Sequence, residues 1–171
     1  TNIAPINEVL ASGIIKLTGW NGNSDFLDPM CGSGTFLIEA ALIAGNIPGN
    51  LNRNSFAFSK WNDWDLNLFN LIKDYQLKKI KKININIFGY DKSPSAILKA
   101  KENIELANLS LDIKVSKKDF FDSKKEGNNN LHIVTNPPYG ERLKGDINSL
   151  YSKIGDSLKL SFSNTDFWFI S

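Results

Sequence analysis

A carboxamide, two prolines and an aromatic ring stand in a row at Asn136, Pro137, Pro138 and Tyr139, directly after the β-branched run Ile133, Val134 and Thr135. Proline has no backbone N–H and a fixed φ, so a strand that reaches Pro137 cannot continue. Asn136 is therefore held at a strand end, with Tyr139 presented just beyond it. A rigid strand-to-loop exit is the plain use of such a sequence, although Asn-Gly or Asp-Gly turns more simply. The chemical use is different. Asn136 Oδ1 and the Pro137 carbonyl are two acceptors on a stiff backbone, suited to the NH2 group of a nucleobase. The lone pair of such an amine is delocalised into its ring, and hydrogen bonds accepted from the NH2 group favour a pyramidal nitrogen. Holding that nitrogen in line with an electrophile supplies proximity and electrostatic preorganisation, together worth roughly several kcal/mol. Tyr139 offers a stacking face to a base taken out of its helix.

A second cluster lies in "DPMCGSGT", residues 28–35. Gly32 and Gly34 permit close backbone approach and positive φ, and the helix that follows presents unpaired N–H groups to an anion such as a carboxylate. A phosphate-cradling loop needs Gly-Lys-Ser/Thr, and this turn has no lysine. A dinucleotide site expects a third glycine where Leu37 stands and an acid about 20 residues further on; the nearest acid that ends a strand, Asp91, is much later. S-adenosylmethionine remains. Its carboxylate and amine suit the glycine turn, its ribose a later carboxylate.

Asp91 meets that last need, because a carboxylate at a strand end accepts from both ribose hydroxyls. The alternative is that "YDKSP" only caps the next helix, which Ser93 can do alone. Asp119 suits the adenine amino group, with Phe120 against the ring. Asp28 suits the methionine amine, or braces the glycine turn, or does both.

The elements that position these residues follow from periodicity. A helix over 4–20 has Pro5 at its first position and Ile6, Val9, Leu10, Ile14 and Leu17 at helical spacing. Strands are expected at 24–28, 84–91, near 112–120, at 131–136 and at 166–171. Helices are expected at 36–45, 66–82, 94–106 and 149–160. Strands alternating with helices imply a doubly wound, mostly parallel α/β sheet in a single domain. Ligands of such sheets bind at the carboxyl ends of the strands, where all the residues above fall. The chain stops on the apolar strand Phe167 to Ile170, so a fragment truncated after its fifth strand is expected. With 171 residues and 42% hydrophobic content, a core needs no staples. One cysteine, Cys31, excludes a disulfide framework or a Cys-rich metal site and fits a reducing cytoplasm. No run approaches a membrane span. The net charge of +2 neither announces nor forbids nucleic acid.

"DPMCGSGTFLIEAA", "FAFSKWNDWD" and "TNPPYGERL" resemble the methyltransferase domain of bacterial THUMP-containing RNA methyltransferases, which modify guanine N2 in large-subunit ribosomal RNA. The resemblance runs from Ala4 and Pro5 to the last strand. It implies a Rossmann-like fold, S-adenosylmethionine as cofactor and RNA as partner. It also implies that a THUMP domain and a final strand pair are absent from this chain. By motif match it carries over Asp28, Cys31, Gly32, Ser33, Gly34, Asp91, Asp119 and Phe120 as cofactor contacts; Pro29, Met30 and Thr35 of the same turn and Lys92 beside Asp91 are counted with them. Asn136, Pro137, Pro138 and Tyr139 are carried over as the catalytic loop.

Arg142 and Lys144 follow that loop, where they suit phosphates flanking the target base. Arg53, Lys60, Trp61 and Trp64 form a basic and aromatic insert suited to RNA, though Phe56, Phe58 and Trp61 equally suit folding the insert onto the body. "LKKIKK" (77–82) reads as a solvated helix face, His132 as structural and Cys31 as a small turn residue; no metal is expected. An acceptor pair for NH2 also serves adenine N6 in DNA and glutamine in release factors, so the motif alone leaves the amine open. A binding module that has lost catalysis is the alternative of a different class.

Overall fold

The computed structural model describes residues 6–51, 53, 55–127, 129–138 and 146–170. Among these, β1 (Asp25–Asp28), β2 (Ile87–Asp91), β3 (Ile113–Lys117), β4 (Leu131–Thr135) and β5 (Thr165–Phe169) form one sheet in the order β3-β2-β1-β4-β5. Every neighbouring pair is parallel. The order reverses between β1 and β4, so their carboxyl ends flank a topological switch point, the crevice where open α/β sheets bind ligands. The doubly wound α/β expectation is the architecture found.

Strand residues alternate between the two faces. Phe26, Ile87, Ile113 and Val134 join a core with α1 (Glu8–Leu17), α2 (Thr35–Gly45) and α4 (Pro94–Leu106). Leu27, Tyr90, Leu131 and Ile133 join a second core with Ile154 of α5 (Ile147–Ser161), Phe120 and Phe162. Helix α2 is apolar nearly all round and runs through the first core, with Phe36, Leu37, Ala40, Ala41 and Ala44 buried. No described helix is long and apolar enough to cross a membrane.

Several element boundaries differ from the expected ones, each for a local reason. Helix α1 starts at Glu8 because Asn7 caps it, its Oδ1 accepting from the N–H groups of Val9 (2.9 Å) and Leu10 (3.2 Å). Pro5 lies outside the described residues. The helix expected at 66–82, here α3 (Leu66–Leu77), stops early. Its tail is drawn to the end of α2, where Lys81 N–H donates to Gly45 C=O (2.9 Å) and Asn46 Nδ2 to Lys79 C=O (3.1 Å). The run Lys78, Lys79, Lys81 and Lys82 is therefore exposed chain beyond the helix, and not a helix face. Strand β2 starts at Ile87, where its ladder with β1 begins. The aromatic insert packs chiefly on α3 and on itself: Phe58 and Trp64 rings are 5.3 Å apart, and Trp64 and Phe69 rings 5.1 Å. Strand β5 is one of the two edge strands of the described sheet, with Trp168 and Phe169 exposed.

Gly89, in the middle of β2, is where helix α2, the glycine turn and β3 crowd closest. A Cβ there would fall 2.3 Å from Leu37 Cδ1, 3.0 Å from Val115 Cγ1 and 3.1 Å from Cys31 Sγ. Three side chains cannot all give way in a close-packed interior, so Gly89→Ala is expected to destabilise the fold by roughly 1–3 kcal/mol. Urea unfolding of the two proteins checks it, and equal midpoints would mean the layer is looser than described.

Candidate active site

One cavity of about 250 Å³ opens at the carboxyl ends of β1, β2, β3 and β4. Its wall includes Asp28, Pro29, Met30, Cys31, Gly32, Ser33 and Thr35 from the glycine turn, Asp91 and Lys92 after β2, Asp119 and Phe120 after β3, and Asn136 and Pro138 after β4. Residues far apart in sequence thus share one small space, because parallel strands bring all their carboxyl ends to the same edge. Gly34 and Pro137 do not line the cavity. Tyr139, Arg142 and Lys144 lie outside the described residues. Arg53 and Lys60 are exposed on the insert, away from the cavity wall; Arg53 Nε donates to Ser55 C=O (2.7 Å) and its guanidinium covers the Phe56 ring.

The two glycines of the turn do different work. Gly32 has φ 53°, and a Cβ there would meet nothing within 4 Å, so the backbone is bare where the cavity begins. Gly34 has φ 83° and its missing Cβ leaves room for α4, since a Cβ would sit 3.3 Å from Ala100 Cβ. Asn103, one turn along α4, donates from Nδ2 to Ser33 C=O (2.9 Å) and props the turn from beneath. The Gly32 N–H is already engaged, donating to Asp91 Oδ2 (3.0 Å), and Gly34 N–H donates to Cys31 C=O (2.8 Å). The groups left for an anion are the first-turn N–H groups of α2, which have no intrahelical acceptors.

Asp91 therefore ties the tip of β2 to the turn and also accepts from Ser93 N–H (2.8 Å) through Oδ1. Helix α4 is capped by Ser93, whose Oγ accepts from Ala96 N–H (3.4 Å). A carboxylate has about four acceptor positions, so two remain beside the cavity. Asp119 accepts from Phe121 N–H (3.1 Å) and fixes the short 3-10 turn Phe120–Asp122. Phe120 is almost fully buried against Phe162, with ring centroids 5.2 Å apart, and reaches the cavity from the core side.

Asp28 is buried, and its Oδ1 accepts from Met30 N–H (3.1 Å) and from the Thr135 hydroxyl (2.7 Å). Burial raises its pKa to about 7, the two donors acting against the shift. Between its unfolded pKa, 3.8, and about 7, the folded protein holds a proton that the unfolded chain has released. Asp28 therefore lowers stability as pH rises through that window, with the penalty complete above about 7. The full effect is on the order of 4 kcal/mol, the separation of the two pKa values at 1.36 kcal/mol per unit. Urea unfolding between pH 4.5 and 7.5 should show Asp28→Asn losing less stability across the window than the parent; parallel curves would place this proton elsewhere.

Asn136 Oδ1 is the one buried side-chain polar atom among the described residues with no hydrogen-bond partner. Buried acceptors left without a donor are rare and call for an explanation. Cys31 is buried, and desolvation followed by the charges of Asp28 and Asp91 pushes its thiol far above the ordinary range, so it stays protonated and packs as a small apolar group. His132 sits in the amino-terminal half of β4, away from the cavity, its Nε2 2.8 Å from Thr18 Oγ1. No group of three or more His, Cys, Asp or Glu among the described residues could hold a metal ion.

Thr135, Asn103, Phe121 and Leu150 are not singled out by the sequence motifs. Asn103 carries a signal: it shares the apolar face of α4 with Ile97, Ala100 and Ile104, where a polar side chain needs a partner. Phe121 and Leu150 line the cavity, but nothing in their spacing separates them from ordinary core residues.

Known proteins resemble this chain in sequence and fold. A ribosomal RNA large subunit methyltransferase K/L from Vibrio parahaemolyticus is 37% identical over 166 residues, 93% of this chain and 24% of the relative. A solved methyltransferase complexed with SAH superposes with a TM-score of 0.88 at 33% identity, over 98% of this chain and 45% of that one. A predicted N6-adenine-specific DNA methylase from Listeria monocytogenes superposes with a TM-score of 0.86 at 31% identity, over 99% of this chain and 44% of that one. The chain thus spans about a quarter of the length of the curated relatives it matches. A family model described as RMKL-like, methyltransferase domain, matches residues 1–170. On that match, this chain belongs to the RMKL-like methyltransferase domain family.

Proposed function

We propose that this domain transfers a methyl group from S-adenosylmethionine to the exocyclic N2 amine of a guanine in large-subunit ribosomal RNA. The observation that carries this reading is Asn136 Oδ1, a buried acceptor without a donor among the described residues, in the same cavity as the glycine turn, Asp91 and Asp119. The donor set fits the cofactor: a carboxylate at Asp28 for a cationic amine, free acceptor positions on Asp91 for two hydroxyls, and Asp119 with Phe120 for an aminopurine. The bare backbone at Gly32 lets a ligand lie against the turn. The SAH in the solved relative and the names of the curated relatives support the same choice.

When bound, S-adenosylmethionine supplies an activated methyl group. The protein's own part is positional. Asn136 Oδ1 accepts from the target amine, on a strand end that Pro137 and Pro138 hold rigid. Accepting this bond favours a nitrogen whose lone pair is free to attack, and the proton released from the methylated amine passes to water. No strong base is needed, so preorganisation supplies the rate enhancement. Tyr139 stacks the extruded base, and Arg142, Lys144, Arg53 and Lys60 meet RNA phosphates.

Calorimetry with S-adenosylmethionine, followed by methyl transfer to ribosomal RNA from cells lacking the gene, tests the reading. Cofactor binding with N2-methylguanine in the product supports it, and absence of cofactor binding by the folded, full-length protein would remove it. Adenine N6 is the second reading, favoured by the name of the Listeria relative. N6-methyladenine formed in duplex DNA, with none in RNA, would establish it instead.

A further inference from the structure

Thr135 has no part in the roles assigned above, yet it is wholly buried and stands next to Asn136. The parallel ladder of β1 and β4 runs through Asp25↔Leu131, Phe26↔His132 and Leu27↔Ile133. The paired register ends at Leu27↔Ile133; Asp28, which ends β1, and Asn136, which follows β4, line the cavity. There the Thr135 hydroxyl donates across to Asp28 Oδ1 at 2.7 Å. On its other side the Thr135 carbonyl accepts from Ile170 N–H (3.1 Å), and Thr135 pairs with Phe169 in the β4–β5 ladder. The residue that precedes Asn136 is thus pinned from both neighbouring strands, by its backbone on one side and its hydroxyl on the other.

We propose that Thr135 is a positioning residue, a cross-strand strut whose hydroxyl bond to Asp28 sets the distance between the Asn136 acceptor and the glycine turn. This rests on the reading given under Proposed function. The same carboxylate accepts from Met30 N–H, so one oxygen, Asp28 Oδ1, joins the turn and the amine-binding strand end. The charged and titratable groups around it are Asp91 on β2 and Cys31 in the turn. A strut of this kind explains a polar side chain where alternation along β4 calls for an apolar one. Valine would keep the shape and the packing but not the donor.

The test compares Thr135→Val and Thr135→Ser with the parent in the full-length protein. The first measurement is kcat for methyl transfer from S-adenosylmethionine to ribosomal RNA taken from cells lacking the gene. The valine variant should lose about tenfold or more in kcat, since small misplacements at a reacting centre are costly, while the serine variant should stay within about twofold. The second measurement is the Asp28 carboxyl titration, followed by NMR without any substrate. Losing a donor to the charged form raises a carboxyl pKa, so the titration should move to higher pH in Thr135→Val and stay in place in Thr135→Ser. A tenfold loss rescued by serine, together with the moved titration, supports the strut. Unchanged kcat or an unmoved titration in a folded Thr135→Val overturns it, as does an equal loss in the serine variant. If the valine variant does not fold, Thr135→Ala is judged by the same criteria. Absence of cofactor binding by the parent would sink the functional reading alone, because the titration is read without cofactor.

Discussion

Asn136→Ala is expected to abolish methyl transfer while leaving the affinity for S-adenosylmethionine within a few fold. Asn136 Oδ1 has no hydrogen-bond partner among the described residues, so its removal leaves none of them unsatisfied. What disappears is the acceptor that prepares the amine. Removing one preorganised group of this kind costs about 10²–10³ in kcat, and here the loss should fall on kcat because the group acts on the reacting nitrogen. Parallel calorimetry and single-turnover transfer check the split. An equal loss of affinity and turnover would mean that Asn136 holds the cofactor or the fold and not the amine.

Asp91→Ala carries the next largest effect, and the structure makes it larger than a ribose contact alone. The Asp91 carboxylate accepts from Gly32 N–H and Ser93 N–H, so the substitution removes the side-chain tie between the glycine turn and β2, leaving the backbone bond from Cys31 N–H to Tyr90 C=O, as well as removing the acceptors for two hydroxyls. Hydrogen bonds to a charged group contribute roughly 1–3 kcal/mol each. Cofactor affinity should therefore fall by at least tenfold, and thermal stability should fall with it. Asp91→Asn separates the two effects. Its Oδ1 can still accept from one backbone donor, so stability should recover further than affinity. Wild-type affinity in Asp91→Ala would leave Asp91 as a brace for the turn and nothing more.

Most of what positions this cavity is written in local chemistry. Strand and helix periods placed β1, α2, β4 and α5 to within a residue or two, and Ser93 and Pro94 mark the start of α4 to the residue, because a capping hydroxyl followed by a proline is a purely local signal. Most residues of the cavity wall are legible for the same reason: glycines, strand-ending acids and Asn-Pro-Pro each have a backbone consequence that can be read in isolation. The features that were not legible depend on partners distant in the chain. The α3 tail is pulled out of its helix by Gly45, more than thirty residues earlier. Gly89 reads as an ordinary weak point in a strand until Leu37 and Cys31 are seen against it. Gly34 looks like a ligand-facing glycine, but it is the approach of α4 at Ala100 that requires it. Thr135 looks like any β-branched strand residue until its hydroxyl is seen bonded to Asp28 on the neighbouring strand.

The most direct test of the account is a crystal structure of the full-length protein with S-adenosylhomocysteine and guanosine. The homocysteine end should lie at the glycine turn, the ribose at Asp91, the adenine between Asp119 and Phe120, and the guanosine N2 within hydrogen-bonding distance of Asn136 Oδ1. A nucleoside amine bound away from Asn136, or a cofactor lying outside the crevice between β1 and β4, would contradict it.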